Sequence, residues 1–200
     1  MFSGAFGAYA LAAGVFMEFC YIPKGKATLG SPKEDKERFD NETEHEYEEK
    51  AGFWLGKYAV TQGEWVGVMG ENPSDRVPTE ATVKKAGIAD TDRFPVENVS
   101  RDDICGKLGA GGDDTFLGKL NARAGVAKAF GGKAKFVLPH EDRWEYACRG
   151  GKGNKQAYYW GNELTKEVAN VGFVRRTTVV GSYEKAAPHP WGLCDMIGNV

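Results

Sequence analysis

The sequence predicts a loop-rich α+β domain, and three observations predict it. Glycine supplies 27 of 200 residues with no collagen period, about twice the usual share, which suits many tight turns at positive φ. Aromatic residues reach 12% within a hydrophobic total of 42%, enough for a packed core. Short strand-like and helix-like pieces alternate with loops, with no internal repeat or low-complexity tract.

Residues 1–17 read as an N-terminal extension and residues 18–200 as the domain. The first nineteen residues are mildly apolar but lack a basic start, and Gly4, Gly7 and Gly14 break the run. That pattern is no secretory signal and is too short and glycine-rich for a membrane span. No membrane partner is expected, and the compartment stays unassigned.

From Phe19 to Ile22 the chain reads as a strand running into a turn at Pro23, followed by a second short strand over residues 26–29. Residues 33–50 carry nine Asp/Glu against four Lys/Arg, which reads as a solvated loop rather than a cation site. Residues 52–60 are strand-like, aromatic and β-branched. Thr61 then stands three residues before Glu64, the signature of a capping box, opening a helix over Gln62–Met69 that buries Trp65 and Met69. Gly70 is its C-cap, and Asn72-Pro73-Ser74 is a turn.

Residues 94–100 read as another strand. A helix is predicted from Arg101, broken by Gly109-Ala110-Gly111-Gly112 and resuming over residues 115–121, with Ile104, Leu108, Phe116, Leu117 and Leu120 as its apolar stripe. Residues 136–138 form a predicted strand before Pro139. Glu141–Cys148 is a predicted helix with Trp144, Ala147 and Cys148 inward, ended by Gly150-Gly151. Beyond it the chain is mostly loops with aromatic anchors.

Charge and motifs exclude several functions. A net charge of −2 and a pI near 6.0 give no electrostatic footprint for nucleic acid. No P-loop, complete GxGxxG, HExxH or GxSxG is present. His45 and His140 stand apart in sequence, and His189, between two prolines, is expected on a loop surface. Cys20, Cys105, Cys148 and Cys194 are dispersed with no CxxC, so a zinc ribbon is excluded. Disulfides and buried thiols both stay open.

Several blocks occur together in order. Gly56-Lys57-Tyr58-Ala59-Val60-Thr61-Gln62 precedes Pro95-Val96-Glu97-Asn98-Val99-Ser100. Leu138-Pro139-His140-Glu141-Asp142-Arg143-Trp144-Glu145-Tyr146-Ala147 comes next, then Tyr159-Trp160-Gly161-Asn162-Glu163 and Val180-Gly181-Ser182-Tyr183. Trp191-Gly192-Leu193-Cys194-Asp195-Met196-Ile197-Gly198-Asn199-Val200 is last. This set resembles the formylglycine-generating enzyme (sulfatase-modifying factor) family over residues 19–200, ending inside the last block. His140 stands where the family helix has Thr, and Arg101 where the family has Trp.

The resemblance implies a C-type-lectin-like fold, here expected to be incomplete at its C-terminus. It implies oxidation of a sulfatase cysteine to formylglycine in the full-length form, with oxygen and a copper ion held by two thiolates. Those thiolates follow the last block, so none of the four cysteines takes a catalytic position. It also implies structural calcium, one ion at Asn170 and Val171 and another at Ile197, Gly198 and Val200, by oxygen ligation. A loop Asn bonding its own backbone, and a plain structural turn, are the competing readings of those residues. The expected partner is a sulfatase or another protein, with the chain a monomer. The alternative function is a non-catalytic lectin-like module that binds protein or glycan.

Overall fold

The computed structural model describes residues 6–12, 15–75, 91–107, 112–123, 135–172 and 176–200. The predicted glycine break at 109–111, Leu108 of the apolar stripe, and residues 1–5 of the extension lie outside them. The architecture is mixed: short helices around two small sheets. Strands β1 (Phe6–Ala12), β2 (Val15–Ile22) and β5 (Phe53–Gly56) form one antiparallel sheet in the order β1-β2-β5. Strands β3 (Gly25–Leu29) and β4 (His45–Glu49) form the other.

Strand β2 divides the core because side chains alternate across a strand. Met17 and Phe19 enter one apolar cluster with Tyr9, Leu11, Trp65 and Phe116. Cys20 and Ile22 enter a second cluster with Leu29, Tyr146 and Leu193. The first cluster is closed by helix α1 (Gln62–Met69) and helix α3 (Phe116–Ala122), where the Trp65 and Phe116 rings stack at 4.9 Å. Helix α2 (Arg101–Cys105) sits beside α3, capped by Ser100. No strand was read before Phe19, yet β1 pairs Phe6 with Cys20 and Tyr9 with Met17. Its alternating Tyr9 and Leu11 are hidden behind small residues that carry little strand signal.

The second cluster is closed by helix α4 (Glu141–Cys148). Tyr146 packs between Tyr47 at 5.6 Å and Trp191 at 5.3 Å, and its hydroxyl donates to the Pro23 carbonyl. Arg143 clamps Glu49 with two bonds of 2.7 and 2.9 Å, and Tyr47 donates to the same carboxylate. These bonds, Arg143 foremost, hold the Glu49 pKa below the usual carboxylate range.

Several elements differ from expectation. Residues 45–49 form a strand inside the charge-dense stretch, because β4 needs only one inward face and Glu49 brings its partner with it. Residues 94–100 form no strand; only Pro95 bridges Thr61. Residues 136–138 are also irregular, with Val137 and Leu138 exposed, and Trp144 lies 43% exposed on the outer face of α4. The inward residues are Tyr146, Ala147 and Cys148.

Candidate functional site

The residues expected to hold calcium are partly brought together. Asn170 is buried, and its backbone carbonyl accepts from the Asn199 amide at 2.9 Å. Gly198, at φ 75°, lies so close that a Cβ there would sit 2.5 Å from the Asn170 carbonyl oxygen and 2.7 Å from a Val171 methyl. Only glycine fits that approach. Ile197 instead lines a small pocket with Tyr159 and Asp195, and Val200 is 68% exposed.

The Asn170 amide is oriented by its own donors. Its Nδ2 donates to the Arg176 carbonyl at 2.8 Å and to Asn199 Oδ1 at 3.3 Å. Its Oδ1 is therefore turned away, buried and without a partner among the described residues. A buried amide oxygen with an open position matches the donor type of a hard cation. No cluster of three or more His, Cys, Asp or Glu able to hold a metal occurs among the described residues.

Asn199, absent from the expected set, is the centre of this patch. It takes φ 84°, and its Oδ1 accepts from the Thr178 amide at 2.8 Å and the Thr178 hydroxyl at 3.0 Å. Its Nδ2 donates to the Thr178 carbonyl at 3.1 Å. One side chain thus joins three segments, which the Gly-Asn pair alone signals only as a turn.

The four cysteines are free and buried. Burial pushes the thiols of Cys20 and Cys148 up to about 11 and that of Cys194 to about 12. Cys148 Sγ lies 3.7 Å from the Met196 carbonyl, and Cys105 Sγ 3.3 Å from that of Arg101. These are small apolar side chains with weak donors, and at neutral pH the three shifted thiols are not thiolate ligands. His189 is likewise buried rather than on a loop surface. Its Nε2 lies 3.0 Å from the Ala147 carbonyl and 3.2 Å from that of Cys148. Its Nδ1 accepts from the Trp191 amide at 3.1 Å. Burial holds its pKa below the ordinary histidine value, and its hydrogen bonds tie the end of α4 to the Trp191 loop.

A polar cleft of ≈ 510 Å³ opens on the other side of α4. One wall is the loop at Gly30 and Ser31, the second is residues 41–45, and the third is the exposed side of α4. His45 Nε2 lies 3.3 Å from Asp142 Oδ1 while its Nδ1 is 2.9 Å from the Thr43 carbonyl. The Thr43 bond, the largest cause, and Asp142 raise its pKa, against the opposing effect of burial.

The profile of the sulfatase-modifying factor enzyme 1-like domain matches residues 12–200. The chain belongs to this family. Two solved structures share the fold: Treponema denticola variable protein 1, at TM-score 0.70 and 21% identity over 99% of this chain and 75% of that one, and PvdO from Pseudomonas aeruginosa, at 0.65 and 20% over 97% and 72%. Among curated proteins, chaperone protein LppX of Paenibacillus barcinonensis is 28% identical over 120 residues, 58% of this chain and 43% of that protein. Serine/threonine-protein kinase pkn1 of Chlamydia pneumoniae is 46% identical over 63 residues, 32% of this chain and 9% of the kinase. The chain thus spans less than half the length of these curated relatives.

Within this sulfatase-modifying-factor domain the two departures from the family pattern are both mild. Arg101 is an exposed first residue of α2. His140 still caps α4, its Nδ1 accepting from the Asp142 amide at 3.3 Å. The cleft residues left no motif because they come from three separated segments.

Proposed function

We propose that this chain is a sulfatase-modifying-factor scaffold, C-type-lectin-like in its loop-dominated build, that presents surfaces to a protein partner and carries out no thiol oxidation with its own cysteines. The observation that carries this reading is the state of the thiols: all four are buried, and three are shifted far from the thiolate range. Copper chemistry of the kind the family resemblance implies needs a thiolate pair, and these residues do not fit that role.

The second reading, oxidation of a sulfatase cysteine to formylglycine by a longer form, is favoured by family membership. Mass spectrometry of a cysteine-containing sulfatase peptide, incubated with the full-length protein, copper and oxygen, separates the two. The expected result is an unchanged peptide. Conversion of the cysteine to the aldehyde would overturn the scaffold reading.

Calcium is proposed as a structural ligand of two turns, one ion on Asn170 Oδ1 and the Val171 carbonyl and a second on the carbonyls of Ile197, Gly198 and Val200. When bound, each ion would brace the turn that holds it. The unpartnered Asn170 Oδ1 supports the first. A bound ion stabilises by mass action, so added calcium should raise the melting temperature and a chelator should lower it, and Asn170→Ala should reduce the difference. Identical melts with and without the ion would refute calcium binding.

A further inference from the structure

We propose that the cleft beside α4 is a docking site for a lysine- or arginine-rich segment of a protein partner. This deepens the scaffold reading and rests on it for the partner's being a protein. The size suits such an occupant: ≈ 510 Å³ falls within the range of about 300–1,000 Å³ typical of ligand sites.

The charge of the walls selects the occupant. Glu42, Glu141, Asp142 and Glu145 line the cleft against the guanidinium of Arg149 and the imidazole of His45, which lies 3.3 Å from Asp142. The four carboxylates outnumber these two bases, whereas acidic and basic residues nearly balance over the whole chain at −2, so the cleft concentrates an asymmetry that the total conceals. Clefts lined by one sign of charge focus the field and draw in the opposite one. Glu44, just before β4, and Glu46 and Glu48 on it extend the same sign along exposed positions.

The walls are set before any partner arrives. Ser31 donates from its hydroxyl to Glu42 at 2.6 Å and from its amide to the Glu42 carbonyl at 3.1 Å. Glu145 accepts from the Gly30 amide at 2.9 Å and from Arg149 Nε at 2.6 Å. Those bonds use Glu42 and Glu145 to build the cleft and leave Glu141 unengaged. Glu141 is exposed, and its carboxylate makes no hydrogen bond or ion pair among the described residues. A pre-formed site loses little entropy on binding.

A glycan is the other occupant a lectin-like module suggests, and the lining argues against it. Trp, Tyr and Phe are all absent from the cleft, so a sugar ring finds no aromatic face, whereas a cationic side chain needs only the carboxylates.

Fluorescence anisotropy with a labelled tetralysine peptide tests this on the intact chain, with its lysine-acetylated form and labelled mannotriose as comparisons. Tetralysine should bind at low salt and weaken as salt rises, and the acetylated peptide and mannotriose should not bind. Glu141→Gln should weaken binding about two- to fivefold and Glu141→Lys more, while Glu167→Gln, the same loss of charge at an exposed site outside the cleft, should leave it unchanged. Equal weakening by the Glu141 and Glu167 variants would reduce the effect to net charge and overturn the proposal. So would absence of tetralysine binding, or mannotriose binding that Glu141→Gln removes. None of these outcomes depends on the sulfatase-peptide assay, so failure of the docking site and failure of the scaffold reading are separately visible.

Discussion

Glu64 shows how a residue placed correctly from the sequence can carry a consequence the sequence does not announce. Its capping-box role follows from Thr61 three residues earlier, and the carboxylate does accept the Thr61 amide at 2.8 Å. Burial then pushes its pKa up to about 7 from an ordinary 4.5, because the ionised form is cut off from water. A folded-state pKa above the unfolded one means that the folded protein holds the proton more tightly. The contribution is therefore full below about pH 4.5 and is lost as pH rises to about 7. Glu64→Gln keeps an acceptor for Thr61 and cannot ionise. Urea unfolding across that window should show the wild-type slope, on the order of 2 kcal/mol in total, flattened in the variant; equal slopes would mean Glu64 does not titrate there. His189 teaches the reverse lesson. Flanking prolines suggested a surface loop, but the ring serves two carbonyls and an amide that only the tertiary fold brings near.

Elements were legible where local chemistry alone sets their limits. Helix α1 begins and ends as read, because the capping box fixes its start and Gly70, at φ 92°, fixes its end. Strand β4 was hidden since its charged residues satisfy a loop reading equally well, and its pairing with β3 joins residues up to two dozen apart. Residues 136–138 failed in the opposite direction: apolar throughout, they read as a strand but pair with no strand among the described residues. Of the buried patch at Asn170, the sequence pointed to Asn170 and Gly198 but missed Asn199, whose role depends on Thr178 twenty-one residues away. Helix α4 offers a direct test at this scale. Its N-cap His140 makes only a 3.3 Å bond to the Asp142 amide, and imidazole is not among the preferred capping side chains. His140→Thr should stabilise the protein by about 0.5–1 kcal/mol, seen as a rise of about 2–4 °C per kcal/mol in the melting temperature. A fall would show that the imidazole contributes more than its cap.

For the whole molecule, the family was legible because ordered motif blocks survive where the backbone makes its turns, and the profile match over residues 12–200 agrees. Function was less legible because the thiolates that the resemblance implies follow the last block, and of the four cysteines present the sequence shows only that they exist, not how they are buried. Strand β2 explains the burial. By splitting the core into two clusters it places Cys20 in the second, with no exposed surface, and α4 and the Trp191 loop seal Cys148 and Cys194 nearby. The scaffold reading therefore stands on four buried thiols, three of them pushed by burial well above the ordinary thiol pKa. Native-state alkylation with iodoacetamide at neutral pH, read by intact mass against a denatured control, measures this directly. The account predicts no adduct on the native protein and four on the denatured chain, one for each cysteine; rapid native modification of Cys20, Cys148 or Cys194 would contradict it.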